Sequence, residues 1–238
     1  MQVNLIGCIF VLESEKNDNI RKNEIKKLKL LVDTNNLVPS FSFNNGDIKN
    51  TIKDNVYKIL GTKVFHLEQV YSYSNDNIVN IVYLIATNID NITKLDSNYK
   101  LIDFNIIDNN TIIYGDNKYK YKTKEIEENN NIEYIHDIDV KDKVLNDNLV
   151  YILSSYKRIR ANIDNTDIIF KFMSKSFTLE DVRILYELIK DTSVDKSNFR
   201  KRIIKYCEKV DSNEQVKIGY RPSQRYRFKP LKGDIWLW

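Results

Sequence analysis

Apolar residues recur along this chain with two different periods, and the change falls near residue 145. Before it, short runs rich in Ile, Val, Tyr and Phe alternate with Asn/Asp clusters: LIGCIFVLE, KVFHLEQVYSYS, NIVNIVYLIAT, KLIDFNII, TIIYGD and KYKYKTKEIE. Branched and aromatic runs bounded by turn residues predict strands. NEIKKLKLLVD, with Ile25, Leu28 and Leu31–Val32 apolar, fits either a helix or a strand. GDIKNTIKDNVYKILG is helical by spacing: Ile48, Ile52, Val56 and Ile59–Leu60 share a face, and Gly61 supplies a C-cap. Residues 1–142 are therefore expected to form an α/β (α+β) domain.

After residue 145 the apolar period is helical. Leu149, Ile152–Leu153, Tyr156 and Ile159 lie on one face of a predicted connecting helix. In FTLEDVRILYELIKD, Thr178 is the expected N-cap with Asp181 at N3, and Phe177 can clasp Val182 across the first turn. Leu179, Val182, Leu185–Tyr186 and Ile189 form its buried stripe. The short link DTSV leads to VDKSNFRKRIIKYC, where Asp195 is the expected cap and Phe199, Ile203, Tyr206 and Cys207 the apolar face. Asn198, Lys201, Arg202 and Lys205 are read as the opposite face, flanked by Arg200 and Ile204. Further on, Arg225 to Lys229 alternate with period two, turning Tyr226 and Phe228 inward and three cations outward, after a turn with Arg221 at its tip. Helix, turn, basic helix and cationic hairpin is the order of a winged helix, expected over residues 143–238.

Charge sharpens this reading. Residues 195–230 hold eleven Lys and Arg against four Asp and Glu, a net +7. The whole chain of 238 residues carries +4, so the remainder is at −3. Positive charge gathered in the last forty or so residues points to a polyanion. Lys and Arg release condensed counterions from duplex DNA, and Asn and Arg can read base edges in the major groove. The expected DNA contacts are Asn198, Lys201, Arg202 and Lys205 from the second helix, with Arg221, Arg225 and Arg227 from the wing.

Other classes are set aside on composition. No run approaches the roughly 18 apolar residues of a membrane span. The start lacks a basic n-region, and Glu13 interrupts its apolar stretch, so a first strand is expected rather than a signal peptide. Cys8 and Cys207 belong to no spaced motif and are expected to be reduced thiols of a cytoplasmic protein. His66 is expected to be structural in a strand, and the His136–Asp142 stretch a solvated acidic loop. No Gly-rich phosphate loop or G-x-S-x-G is present. No catalytic residue, metal ligand or cofactor is assigned.

SFTLEDVRILYELI, DKSNFRKRI and RPSQRYRF resemble, in order and spacing, the C-terminal winged helix of the Nudix-related transcriptional regulators, the NrtR family. HLEQVYSYS followed by NIVYLI is similar to strands after the Nudix helix. The resemblance implies a Nudix-like N-terminal domain with a mixed sheet, sensing ADP-ribose, a related nucleotide or a sugar derivative. It further implies a homodimeric repressor of NAD or sugar metabolism genes on a two-fold symmetric operator. The same alignment shows a departure. An active Nudix box, G-x5-E-x7-R-E-U-x-E-E-x-G, gathers Mg²⁺ on glutamates. Counting back from Gly61, the Glu pair falls on Lys58 and Ile59, the Arg-Glu pair on Asp54 and Asn55, and the upstream Glu on Gly46. No glutamate occurs from residue 25 to residue 67. A hard cation needing several carboxylate oxygens is poorly served, so a non-enzymatic sensor is expected. The alternative is a hydrolase of nucleoside diphosphate compounds with a non-standard metal site.

Overall fold

The computed structural model describes residues 2–15, 25–75, 77–128, 131–210 and 224–229. Its central strand, β1 (Gln2–Glu15), is apolar on both faces, as a strand covered on both sides must be. It pairs in parallel with β5 (Ile78–Asn88) along its length. Its other edge is shared: Val3–Ile6 pair with β3 (Ser40–Phe43), and the stretch from Phe10 pairs with β2 (Ile25–Asp33). The remaining strands are β4 (His66–Asn75), β6 (Tyr99–Ile107), β7 (Thr111–Tyr114), β8 (Asn117–Glu128) and β9 (Asn131–Ile138). The sheet runs β4-β5-β1-β2-β6-β7-β8-β9, with β3 beside β1, and is mixed: among the described residues β1 and β5 pair in parallel and the other neighbours antiparallel.

The segment with two possible readings, 25–33, is a strand. Its alternation places Lys29 between Glu13 on β1 (3.3 Å) and Asp103 on β6 (2.6 Å), an arrangement that only cross-strand neighbours provide. Leu28, Leu30 and Val32 point to one sheet face and Leu31 to the other.

Each face carries one long helix. α1 (Ile48–Leu60) lays Ile52, Val56 and Leu60 on Leu5, Ile9, Val11 and Ile85. The Asp47 carboxylate caps its start by accepting from the Asn50 amide (2.7 Å). Gly61, at φ 65°, ends it; a Cβ there would stand 2.5 Å from Thr93 Oγ1 as well as being strained. The opposite face is covered by α2 (Lys143–Asn162), capped by Asp142. Its buried residues Leu149, Ile152, Leu153, Tyr156 and Ile159 are those given by the helical spacing.

Beyond α2 come α3 (Ile168–Lys171), α4 (Leu179–Lys190), α5 (Lys196–Ile203), and the short strands β10 (Cys207–Lys209) and β11 (Tyr226–Phe228). Phe177 forms an antiparallel bridge to Tyr226, making β11 the middle of a three-membered sheet. Helix, bridge, two helices and a two-stranded wing base is winged-helix order. The apolar cluster on the α2 face continues without a break from Phe10 and Phe104 through α2 to Leu185, Phe199 and Tyr226. Polar ties cross at the same place: Lys26 to Asp181 (3.2 Å), and the Asn88 amide to the Phe172 carbonyl (2.8 Å).

Cys8 is buried and Cys207 half-buried, both free; burial pushes both thiols up to about 12. His66 opens β4, with Nε2 3.4 Å from Glu68. His136 corrects an expectation, because it stands in β9 and not in a loop. Its Nδ1 is 3.3 Å from Thr123 Oγ1 and 3.4 Å from Lys157 Nζ, beside the Tyr121 ring. Burial, reinforced by the Lys157 charge, lowers its pKa from 6.5 to about 4. The unfolded chain therefore takes up a proton that the folded chain refuses between pH 6.5 and 4. Stability should fall as pH drops through that window. Between pH 7 and pH 4.5 the urea unfolding midpoint of wild type should fall more than that of His136→Gln, which lacks the titrating ring. Parallel curves would contradict this.

Candidate nucleic-acid interface

The recognition element is built from α4 upward. Thr178 and Asp181 close a reciprocal capping box (2.8 and 3.1 Å), and the buried Phe177 and Val182 flank it as the sequence predicts. Such a cap stabilises a helix by about 1 kcal/mol. Arg183 ties Glu180 (2.6 Å) to Glu187 (2.5 Å). Glu187 Oε1 then accepts the Val194 amide (2.9 Å), which pins the turn between the two helices. Asp191 occupies the left-handed C-cap at φ 52°, a conformation that Asp tolerates better than most residues.

α5 starts at Asp195, whose carboxylate accepts the Asn198 amide (2.8 Å). Phe199 and Ile203 are buried against α4, with the Phe199 ring 5.3 Å from that of Tyr186. Lys196, Asn198, Arg200, Lys201 and Lys205 are exposed. Among the described residues, the side chains of Asn198, Arg200 and Lys201 make no hydrogen bond or ion pair to protein. Lys205 Nζ lies 4.7 Å over the Tyr206 ring, its charge still facing solvent.

Arg202 is also exposed, with 42% of its side chain accessible, but it lies nearer the apolar face than the sequence reading placed it. Its guanidinium covers the rings of Tyr186 (5.1 Å) and Phe199 (5.6 Å) and reaches Asp164 at 3.5 Å. The cause is angular: at about 100° per residue, position 202 lies only about 60° from Phe199. Arg202 thus stands at the border between the apolar face of α5 and its exposed face. Arg200, read as flanking, and Lys196 are further exposed cations of α5.

The wing base also departs from expectation. Tyr226 is buried, and Phe228 stacks on Phe170 at 4.4 Å, so the inward pair is as predicted. Arg225 and Arg227 are half-buried and do not project freely. Arg225 Nη1 donates to the Ser176 carbonyl (2.8 Å). Arg221 and its turn lie outside the described residues.

The degenerate Nudix position is on α1. Lys58 and Asp54 are exposed, Asn55 donates to the Thr51 carbonyl (2.9 Å), and Ile59 is a core residue at 4% exposure. Among the described residues, no three His, Cys, Asp or Glu side chains gather where they could share a metal ion. This donor set does not fit a Nudix-type divalent cation. No helix among the described residues is long and apolar enough to cross a membrane.

Comparison with known proteins agrees with this geometry. Residues 169–228 match the sequence family described as the NrtR DNA-binding winged helix domain. Shewanella oneidensis NrtR complexed with a 27mer DNA has the same fold, at a TM-score of 0.65 and 13% identity over 95% of this chain and 93% of that one. A second structure of Shewanella oneidensis NrtR gives 0.63 at 12% identity, covering 96% and 94%. A MutT/nudix family protein from Enterococcus faecalis gives 0.66 at 14% identity, covering 96% and 88%. No curated protein matches the chain in sequence. The architecture is thus a Nudix-like domain with a mixed sheet followed by a winged helix.

Proposed function

We infer, for a chain whose residues 169–228 match the NrtR DNA-binding winged helix domain, a ligand-responsive regulator of transcription that binds duplex DNA. The observation that carries this reading is the outer face of α5. Asn198, Arg200 and Lys201 stand exposed on a helix fixed from behind by Phe199 and Ile203, and Lys205 stands exposed on the single 3-10 turn that follows it. A rigid cationic helix of this kind enters a major groove, where lysines and arginines displace counterions and Asn and Arg can discriminate bases. That the similar Shewanella oneidensis protein was crystallised with a 27mer DNA supports the same partner here.

The finer reading is a cytoplasmic repressor acting as a homodimer on a two-fold symmetric operator. Its Nudix-like domain serves as a sensor of ADP-ribose, a related nucleotide or a sugar derivative, controlling NAD or sugar metabolism genes. Residues 1–142 form the sensing part and 143–238 the DNA-binding part, with α2 passing between them. The chain is not a hydrolase on this reading, because α1 offers Lys58 and Ile59 where metal-gathering glutamates are required. Ligand control needs only different affinity for two conformations.

Fluorescence anisotropy with a duplex from upstream of the protein's own gene tests the reading. Binding should exceed that to an unrelated duplex by roughly a thousandfold or more and weaken steeply with salt. Equal, weak binding to both duplexes would overturn it.

A further inference from the structure

The α2 face of the sheet holds a cleft of about 490 Å³, lined by none of the residues expected to contact DNA. It opens between the loop after β2, the turn joining β7 to β8, and the first turn of α2. Its volume lies within the roughly 300–1,000 Å³ of small-molecule sites. We propose that this cleft binds a neutral polyhydroxylated molecule of monosaccharide size and is the effector site of the regulator inferred above, on which reading the proposal rests.

The lining chemistry selects the ligand class. Asn35, Lys100, Asp116, Asn117 and Tyr119 are the polar residues lining the cleft beside Asn36 and Asp142. Among the described residues, none of these five side chains has a hydrogen-bond or ion-pair partner in the protein. Amides beside a carboxylate both donate and accept, which is what adjacent hydroxyls of a sugar require. Tyr114, Val144 and Leu145 add the apolar surface on which the C–H face of a sugar ring packs. Val144 is 61% exposed, unusually open for a Val at the start of a long helix. The charges argue against a nucleoside diphosphate, since Lys100 stands alone against Asp116 and Asp142. Asp142 is already held as the α2 cap, accepting the Leu145 amide at 2.7 Å.

The wall of the cleft is connected to the winged helix. The Tyr114 hydroxyl donates to the Asn36 carbonyl and accepts from Asn148 Nδ2 (3.1 Å). Asn148, buried on α2, accepts the Val38 amide with its Oδ1 (2.8 Å). Asn36 lines the cleft and the buried Val38 follows it in the same loop, so a ligand that shifts this loop acts directly on α2. Two side chains at the far end of α2 grip the end of α4. Tyr156 Oη donates to the Ile189 carbonyl (3.1 Å) and Arg160 Nη2 to the Lys190 carbonyl (2.8 Å). Arg160 Nη1 also holds Asn109, in the turn between β6 and β7, at 2.5 Å. A rotation of α2 therefore moves the end of α4 from which the turn to α5 starts. Differential affinity of a ligand for two α2 positions is all the coupling requires.

Calorimetric titration of the full chain with glucose, galactose, xylose, ribose and, as a charged contrast, ADP-ribose tests this. At least one aldose should bind at millimolar concentration and change the affinity for the promoter duplex. Asn117→Ala and Asp116→Ala should each weaken that aldose roughly tenfold or more without lowering the melting temperature. Gln69→Ala, in the separate cavity at the start of α1, should leave it unchanged. Arg160→Met should keep the aldose affinity while reducing its effect on DNA. Binding of no aldose, or loss through Gln69→Ala in place of the two cleft variants, overturns the site. Promoter binding that persists in that case leaves the regulator reading standing, whereas its absence in the ligand-free protein would overturn that reading separately.

Discussion

Lys201→Glu combined with Lys205→Glu is expected to reduce duplex-DNA affinity on the order of a hundredfold or more while leaving the fold intact. Both lysines are exposed, and neither forms an ion pair among the described residues. Reversal therefore breaks nothing inside the protein beyond the Lys205–Tyr206 ring contact. At the interface, each substitution removes a counterion-releasing cation and sets a carboxylate against phosphate, a juxtaposition costing several kcal/mol. The salt dependence should flatten by about two units of slope in log K against log salt. The same reversal at Lys53 and Lys58, exposed on α1, should change affinity little. If the α1 pair were as damaging as the α5 pair, general charge and not a docked helix would govern binding.

Phe199→Ala should destabilise the winged helix by about 3–5 kcal/mol, the usual range for truncating a buried aromatic. Phe199 is 5% exposed and packs against Tyr186, with Arg202 lying over both rings. Its loss takes away half of the apolar grip of an eight-residue helix, since Ile203 is the other buried residue of α5. So short a helix does not persist without tertiary contacts. A drop in melting temperature on the order of 10 °C should result, together with loss of DNA binding. Tyr186→Phe keeps the packing and removes only the hydroxyl bond to Asp164 (2.9 Å), so it should retain DNA binding. Should Phe199→Ala melt and bind like the wild type, α5 is not held as described.

Much of this architecture is legible in the chain because short-range signals agree with long-range ones. The stripe Leu149–Ile159, the Thr178–Asp181 box and the Asp195 cap all report local geometry, and each stands where the spacing puts it. Residues 25–33 were open between helix and strand because an apolar set spaced by three and four also fits a strand buried on both faces. Only the partners Glu13 and Asp103 decide it. His136 was misread because Asp neighbours suggested a loop, yet its strand is fixed by pairing with β8. The wing arginines illustrate the opposite failure. Alternation correctly turned Tyr226 inward, but it cannot reveal that β11 is flanked by Phe177, which draws Arg225 to the Ser176 carbonyl. The effector cleft had no sequence signal at all. Its lining comes from three separated segments, the loop after β2, strands β6 to β8 and the start of α2, that only the folded sheet brings together.

Lysine footprinting by reductive methylation, with and without the promoter duplex, tests most directly that the α5 face sits on DNA. Every lysine is read at once, so the protein supplies its own controls. Lys201 and Lys205 should be protected by the duplex, while Lys49, Lys53 and Lys58 on α1 should be methylated equally in both samples. Equal modification of Lys201 and Lys205 with bound duplex, and protection confined to other lysines, would contradict the account.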